Sequence, residues 1–292
     1  MPVGPNFFVV GAPKSGTSSL YEFVRQHPDI FVPRRKELHY FSRTHAAQSY
    51  YRPALIRDED SYLRHFKGAE RYRAAGDFSP SYLYFDDAAL GIKAFCSEAR
   101  ILAILRHPTD RTISHYLMDV AKGFQNRPLV EFVERTAENA PYYFEYISTS
   151  CYAAAVARYF EVFGRERVLI LTTEELERNA QDVCRRVFGF VDVNDTVQVR
   201  TDKRHNAYST PRFGIVLRAR TNTAAFRVYE HMPSLIRAGA KRLLQRRDAA
   251  KPDLRDEREM LDALFAPEID RLSEVLGRDM ASAWARRDVE TA

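Results

Sequence analysis

Apolar positions near the amino terminus run without a break through Phe7, Phe8, Val9 and Val10. Four in a row with no polar alternation read as a strand buried on both faces, the kind found in parallel sheets. Apolar residues then recur with helical spacing at Leu20, Phe23 and Val24, followed by His27, and Pro28 stops that helix. A second unbroken run, Ile101-Leu102-Ala103-Ile104-Leu105, reads as another buried strand. Residues 152–163 have a helical pattern, Gly164 is suited to cap it, and Val168-Leu169-Ile170-Leu171 gives a third strand before a helix over 174–188. Helix, glycine, strand, helix is the rhythm of βαβ units. Beyond Arg212 the pattern is almost entirely helical, with Pro233, Pro252 and Pro267 as punctuation. The prediction is an α/β fold with a central parallel sheet, helices on both faces and a helical C-terminal region.

Composition narrows the classes without choosing among them. No Pro/Gly/Ser-rich linker or repeat divides the 292 residues, so one domain over 1–292 is expected, with its core at about 5–215 and a helical extension at about 216–292. Lys and Arg number 44 against 39 Asp and Glu, a net +5 that suits a polyanionic small ligand but is too weak to argue for nucleic acid. Three cysteines, Cys96, Cys151 and Cys184, are odd in number and far apart, so neither a disulfide framework nor a zinc site is expected, and no metal is called for. No stretch approaches the roughly twenty apolar residues of a membrane span, and Met1 to Asn6 carries no basic residue of a signal peptide.

The chemistry starts where the first strand ends. Gly11-Ala12-Pro13-Lys14-Ser15-Gly16-Thr17-Ser18-Ser19 leads from strand to helix through a glycine-bounded, lysine-bearing turn, which makes a P-loop-like phosphate cradle. Backbone N–H groups around Gly16 can converge on an anion, Lys14 adds a full charge, and the hydroxyls of Ser15, Thr17, Ser18 and Ser19 can donate. A nucleoside triphosphatase loop needs Gly-Lys-Ser/Thr at its end, and here Thr17 stands where that lysine belongs. The Pro-Lys-Ser-Gly-Thr-Ser-Ser-Leu string instead resembles the loop by which sulfotransferases hold the 5′-phosphosulfate of PAPS (3′-phosphoadenosine 5′-phosphosulfate).

Other segments extend that resemblance. The strand 101–105 ends in Arg106-His107-Pro108, with Ser114 one to two turns into the following helix. This is similar to the sulfotransferase 3′-phosphate motif, in which an arginine after the strand and a serine in the helix grip the nucleotide. Lys36-Glu37-Leu38-His39-Tyr40-Phe41 resembles the heparan-sulfate and carbohydrate branch, where the glutamate is the catalytic base. Glu37 is the preferred base, and His39 is the rival, because imidazole suits the task and cytosolic branches use histidine. An extended segment would point both side chains to one face. Gly76-Asp77-Phe78-Ser79-Pro80-Ser81-Tyr82 resembles an element beside the cofactor, with Asp77 where those enzymes often carry a lysine. Thr201-Asp202-Lys203-Arg204-His205-Asn206 resembles the basic loop that closes over the 3′-phosphate, without its usual glycine, and assigns Lys203 and Arg204 to the cofactor.

The resemblance thus implies a PAPS-dependent enzyme that moves a sulfuryl group to a hydroxyl of a carbohydrate, glycolipid or other small acceptor, leaves 3′,5′-adenosine diphosphate, and needs no metal. Lys14, Glu37 and His39 are the catalytic candidates; Lys14 through Ser19, Arg106, Ser114, Lys203 and Arg204 are the cofactor candidates. Golgi members of that family carry a membrane anchor, and its absence here leads to the expectation of a bacterial-type cytoplasmic enzyme rather than a trimmed catalytic domain. A small-molecule kinase and an inactive nucleotide-binding module are the alternatives. The basic stretch 227–251, with leucines interleaved, reads either as weak contact with an anionic membrane or, more commonly, as a solvated helix face.

Overall fold

The structure is a computed structural model that describes residues 4–42, 55–122, 124–201, 210–211, 245–246 and 252–285. Its centre is a sheet of β1 (Phe7–Gly11), β2 (Ile30–Phe31), β3 (Ala74–Phe78), β4 (Arg100–Leu105) and β5 (Val168–Thr172). The strands lie in the order β2-β3-β1-β4-β5 and every pairing is parallel. The helices are α1 (Thr17–Val24), α2 (Glu59–Leu63), α3 (Asp86–Phe95), α4 (Pro108–Lys122), α5 (Ala140–Tyr146), α6 (Ala153–Phe163), α7 (Thr173–Arg178), α8 (Ala180–Phe190), α9 (Arg255–Leu276) and α10 (Met280–Trp284).

The unbroken apolar run in β1 is explained by cover on both sides. Phe7 and Val9 pack with Leu20, Phe23 and Val24 of α1 and Val183, Val187 and Phe188 of α8. Phe8 and Val10 face the other way, into a cluster with Ala88 and Ile92 of α3, Val156 and Tyr159 of α6 and Leu272 of α9. A strand whose alternate residues enter two cores has no solvent face and needs no polar alternation. From β1 the chain winds to one side through β2 and β3, then crosses to the other through β4 and β5. The carboxyl ends of β1 and β4 therefore meet at a topological switch point, where open α/β sheets bind their ligands.

Three expectations change. The helix over 174–188 is two helices, because Asn179 breaks the run at φ −154° and its side chain accepts from the Asp182 N–H to cap the second. Asparagine competes for backbone hydrogen bonds and so favours caps over helix interiors. Pro267 lies inside α9 rather than ending it; Leu261, Phe265, Ile269 and Leu272, spaced by threes and fours, are buried along one face and hold the helix together across the proline. The region past Arg212 also contains strand, since β6 (Thr210–Pro211) pairs antiparallel with β7 (Gln245–Arg246). Lys203, Arg204 and the basic stretch 227–251, apart from the Gln245–Arg246 backbone, lie outside the described residues.

Candidate active site

The turn between β1 and α1 is shaped by what holds its carbonyls. Arg111 Nε donates to the Pro13 carbonyl at 3.2 Å, Arg106 Nη1 to that of Lys14 at 3.3 Å, and Thr173 Oγ1 to that of Ser15 at 2.8 Å. Three successive carbonyls are tied back toward β4, α4 and α7, and the Ser15 N–H closes onto the Ala12 carbonyl at 3.3 Å, so the turn is held in one conformation. The N–H groups of Thr17, Ser18 and Ser19 open α1 and have no intrahelical acceptor, so they add the positive end of a helix to the same spot. Gly16 makes this possible, with φ at 94° and Leu176 Cδ2 only 3.1 Å from where a Cβ would sit. The residues therefore fit a phosphate or phosphosulfate group. Ser15, by contrast, is fully buried, so its hydroxyl faces the interior.

Cations converge on the same turn. Lys14 has a left-handed backbone, φ 71°, and its ammonium is pushed down from 10.5 to about 8, first by burial and then by the charges of Lys122, Arg111 and Arg106; Asp119 pulls the other way more weakly. Arg111 is completely buried on α4. It donates to the carbonyls of Glu145 at 2.6 Å and Tyr146 at 3.2 Å as well as to Pro13, which locks the cradle to α5. A lysine held among three other cations in a half-buried site is a receptor for negative charge.

Beside the cradle lies the string 36–41. Lys36 Nζ reaches across to α1 and donates to Ser18 Oγ at 2.8 Å and Thr17 Oγ1 at 3.3 Å, and it stands 3.6 Å from Glu37 Oε1. The Glu37 side chain is 47 % exposed, with Oε2 3.8 Å from His39 Nε2. The segment is not extended: Glu37 and His39 have φ of 63° and 55°, so a chain reversal rather than strand alternation brings the two side chains together. His39 is buried, with Nδ1 2.9 Å from Ser81 Oγ. Burial, helped by Arg35, pushes the imidazole down to about 4, so it is neutral at physiological pH.

The unusual backbone of the string is clamped from β3. Ser79 Oγ accepts from the N–H of Leu38 at 3.0 Å and of His39 at 3.4 Å, and donates to Asp77 Oδ1 at 2.7 Å. Tyr82 and Tyr62 donate to Asp77 Oδ2 at 2.9 and 2.8 Å, and the Tyr82 hydroxyl also accepts from the Tyr40 N–H at 3.0 Å. Asp77 is thus a buried hub, and its carboxyl is raised by desolvation against the pull of these three hydroxyls.

Residues 4–212 match the sulfotransferase domain family. The chain belongs to that family. The sulfotransferase from Alicyclobacillus acidocaldarius has a crystal structure that superposes with a TM-score of 0.72 at 31 % identity, over 97 % of this chain and 99 % of that one. Heparan sulfate glucosamine 3-O-sulfotransferase 3A1 of Mus musculus is 25 % identical over 218 residues, 74 % of this chain and 52 % of its own length. Carbohydrate sulfotransferase 15 of Mus musculus is 24 % identical over 249 residues, 65 % of this chain and 44 % of its own. The chain spans about half the length of these two mouse relatives or less.

Within this domain the structure brings together Lys14, Thr17, Ser18, Arg106, Glu37 and His39 around one turn. Ser114 lies partly exposed on α4, in the helix that follows Arg106. Sequence reasoning missed Lys36, Arg111 and the Asp77 hub. Arg111 had a signal available, since it falls on the buried face of α4 with Pro108, Thr112, His115 and Asp119. A charge on the apolar side of a helix asks for a partner, and its partner is the cradle. Among the described residues there is no cluster of side chains that could hold a metal ion.

Proposed function

We propose that this protein transfers the sulfuryl group of PAPS to a hydroxyl of a carbohydrate or similar small acceptor. The observation that carries the reading is the turn 13–15, which is held through its carbonyls and sets Lys14 and the first-turn amides of α1 beside Lys36 and Glu37. When bound, PAPS supplies an activated sulfuryl group on a 3′,5′-diphosphate leaving group.

The residues then divide the work. Lys14 and the first-turn amides of α1 stabilise negative charge that grows on the leaving phosphate, which is where fixed donors contribute most. Arg106, at the carboxyl end of β4, and Ser114 hold the 3′-phosphate by analogy with the family motif, joined by Lys203 and Arg204. Glu37 accepts the acceptor's proton on its carboxylate, since about half of its side chain is open to solvent beside Lys36. His39 orients that carboxylate or the acceptor, because an imidazole lowered to about 4 and engaged with Ser81 is a poor proton acceptor.

Mass spectrometry of reactions containing PAPS and a panel of glycans tests the proposal. An added sulfuryl mass on a hydroxyl that depends on both PAPS and Glu37 is expected. Transfer of phosphate from ATP with none from PAPS would overturn it.

A further inference from the structure

Lys36 has no role in the reading above, yet it is placed more tightly than Glu37. Its ammonium is largely buried and lies against the first turn of α1, a helix end that already carries positive potential beside Lys14. Burial lowers its pKa, against the opposing pull of Glu37. A lysine is costly there unless the position does something. The donor count indicates what. An ammonium has donors and no acceptor, so Ser18 and Thr17 must accept from it through their oxygens. Each hydroxyl then has only its own hydrogen left to offer, and neither can turn that hydrogen toward Lys36. Both hydrogens are thereby left for an acceptor other than Lys36.

We propose that Lys36 is the positioning residue that couples the anion cradle to the base: it fixes Thr17 and Ser18 as donors to the 5′-phosphosulfate, and through its 3.6 Å contact it holds the Glu37 carboxylate at the mouth of the same site. The proposal rests on the sulfotransferase reading and extends it. Half of the Glu37 side chain is in solvent, so the Lys36 ammonium at 3.6 Å and the His39 ring at 3.8 Å are the neighbours that limit its excursions. One side chain therefore spans the two halves of the site.

Double-mutant cycles on the intact protein separate this from a merely structural role. The readouts are calorimetric affinity for 3′,5′-adenosine diphosphate, which requires no turnover, and single-turnover sulfuryl transfer. Binding by the wild type tests the cofactor reading by itself; the differences among variants test Lys36. Lys36→Met, which keeps an apolar stem, should weaken nucleotide binding about tenfold and slow transfer about a hundredfold, whereas Lys36→Arg should restore most of the binding. In a Thr17→Val/Ser18→Ala background the binding loss from Lys36→Met should vanish, because there is no hydroxyl left to orient. In a Glu37→Asp background, which keeps a carboxylate but withdraws it from Lys36, Lys36→Met should slow transfer by no more than its about tenfold loss of binding. Additive effects in both backgrounds, or a Lys36→Met protein with wild-type affinity and rate, would overturn the proposal. Thermal melts of each variant establish that it is folded, and a melt shift with unchanged nucleotide affinity and rate counts against the coupling role.

Discussion

The depressed Lys14 ammonium makes a prediction that can be worked through. Its fall from 10.5 to about 8 means that roughly 3 kcal/mol is withheld from the charged form by burial and by neighbouring cations. A bound dianion reverses the sign of that environment and should return the lysine toward its ordinary value. Binding of 3′,5′-adenosine diphosphate must then take up a proton whenever the free protein has lost one. Affinity should be highest near about pH 7 and fall about tenfold, or ~1.4 kcal/mol, by about pH 9, with proton uptake near one per ligand at the upper end. The ligand's phosphates have second pKa values near about 6 and so do not titrate across this range. Calorimetry in buffers of different ionisation enthalpy counts the protons directly. The same lysine opposes folding: the unfolded chain binds more protons between about pH 8 and 10.5, so stability without ligand should rise with pH through that window. Lys14→Met should therefore melt higher than the wild type at neutral pH while binding nucleotide poorly and without pH dependence. Level affinity from about pH 7 to 9 with no proton uptake would refute the reasoning, as would a Lys14→Met protein that melts lower.

Four further outcomes are expected. Arg106→Ala should erase most of the preference for 3′,5′-adenosine diphosphate over 5′-AMP, by about 2–4 kcal/mol in calorimetry, as suits a charge-assisted phosphate contact. Glu37→Gln should abolish single-turnover transfer with nucleotide affinity intact, while His39→Asn is milder; the reverse order would exchange their roles. Arg111→Met removes the guanidinium donor from the Pro13 carbonyl and leaves those of Glu145 and Tyr146 only the hydroxyls of Thr149, Thr112 and Ser150, so it should cost about 1–3 kcal/mol in chemical denaturation and weaken nucleotide binding as well. Asp77→Ala leaves the buried hydroxyls of Tyr62, Ser79 and Tyr82 without their acceptor, and a melt lowered by several degrees together with slower transfer is expected.

The parts of the site legible in the sequence were those that depend on neighbours in the chain. Lys14, Gly16 and Thr17 sit in a turn whose function follows from its own backbone, and Arg106 follows a strand that announces itself by Ile101 to Leu105. The strand order was hidden because register across β3, β1 and β4 is set by packing partners far apart in sequence. The same holds for the clamp. Ser79 lies about forty residues from the backbone it holds, and nothing local in the Ser79-Pro80 string says that its hydroxyl accepts from Leu38 and His39. The backbone of 36–41 was open in the sequence for this reason, since left-handed backbone at Glu37 and His39 costs energy locally and is maintained by Ser79, Tyr82 and Asp77 from outside. Asn179 was a local signal that the apolar periodicity of 174–188 masked.

That clamp sets the size of the smallest portable piece. Grafting Lys36-Glu37-Leu38-His39 onto another α/β scaffold would move the letters and lose their conformation, because the hydrogen bonds that hold Leu38, His39 and Tyr40 come from Ser79 and Tyr82. A donor fragment would have to include β3 and the turn Pro80–Tyr84 with Asp77 at their root, together with Tyr62 from α2. Recombination breakpoints between residues 42 and 74 would separate the base from its support, so chimaeras of related enzymes should lose activity there even when both parents carry the same string.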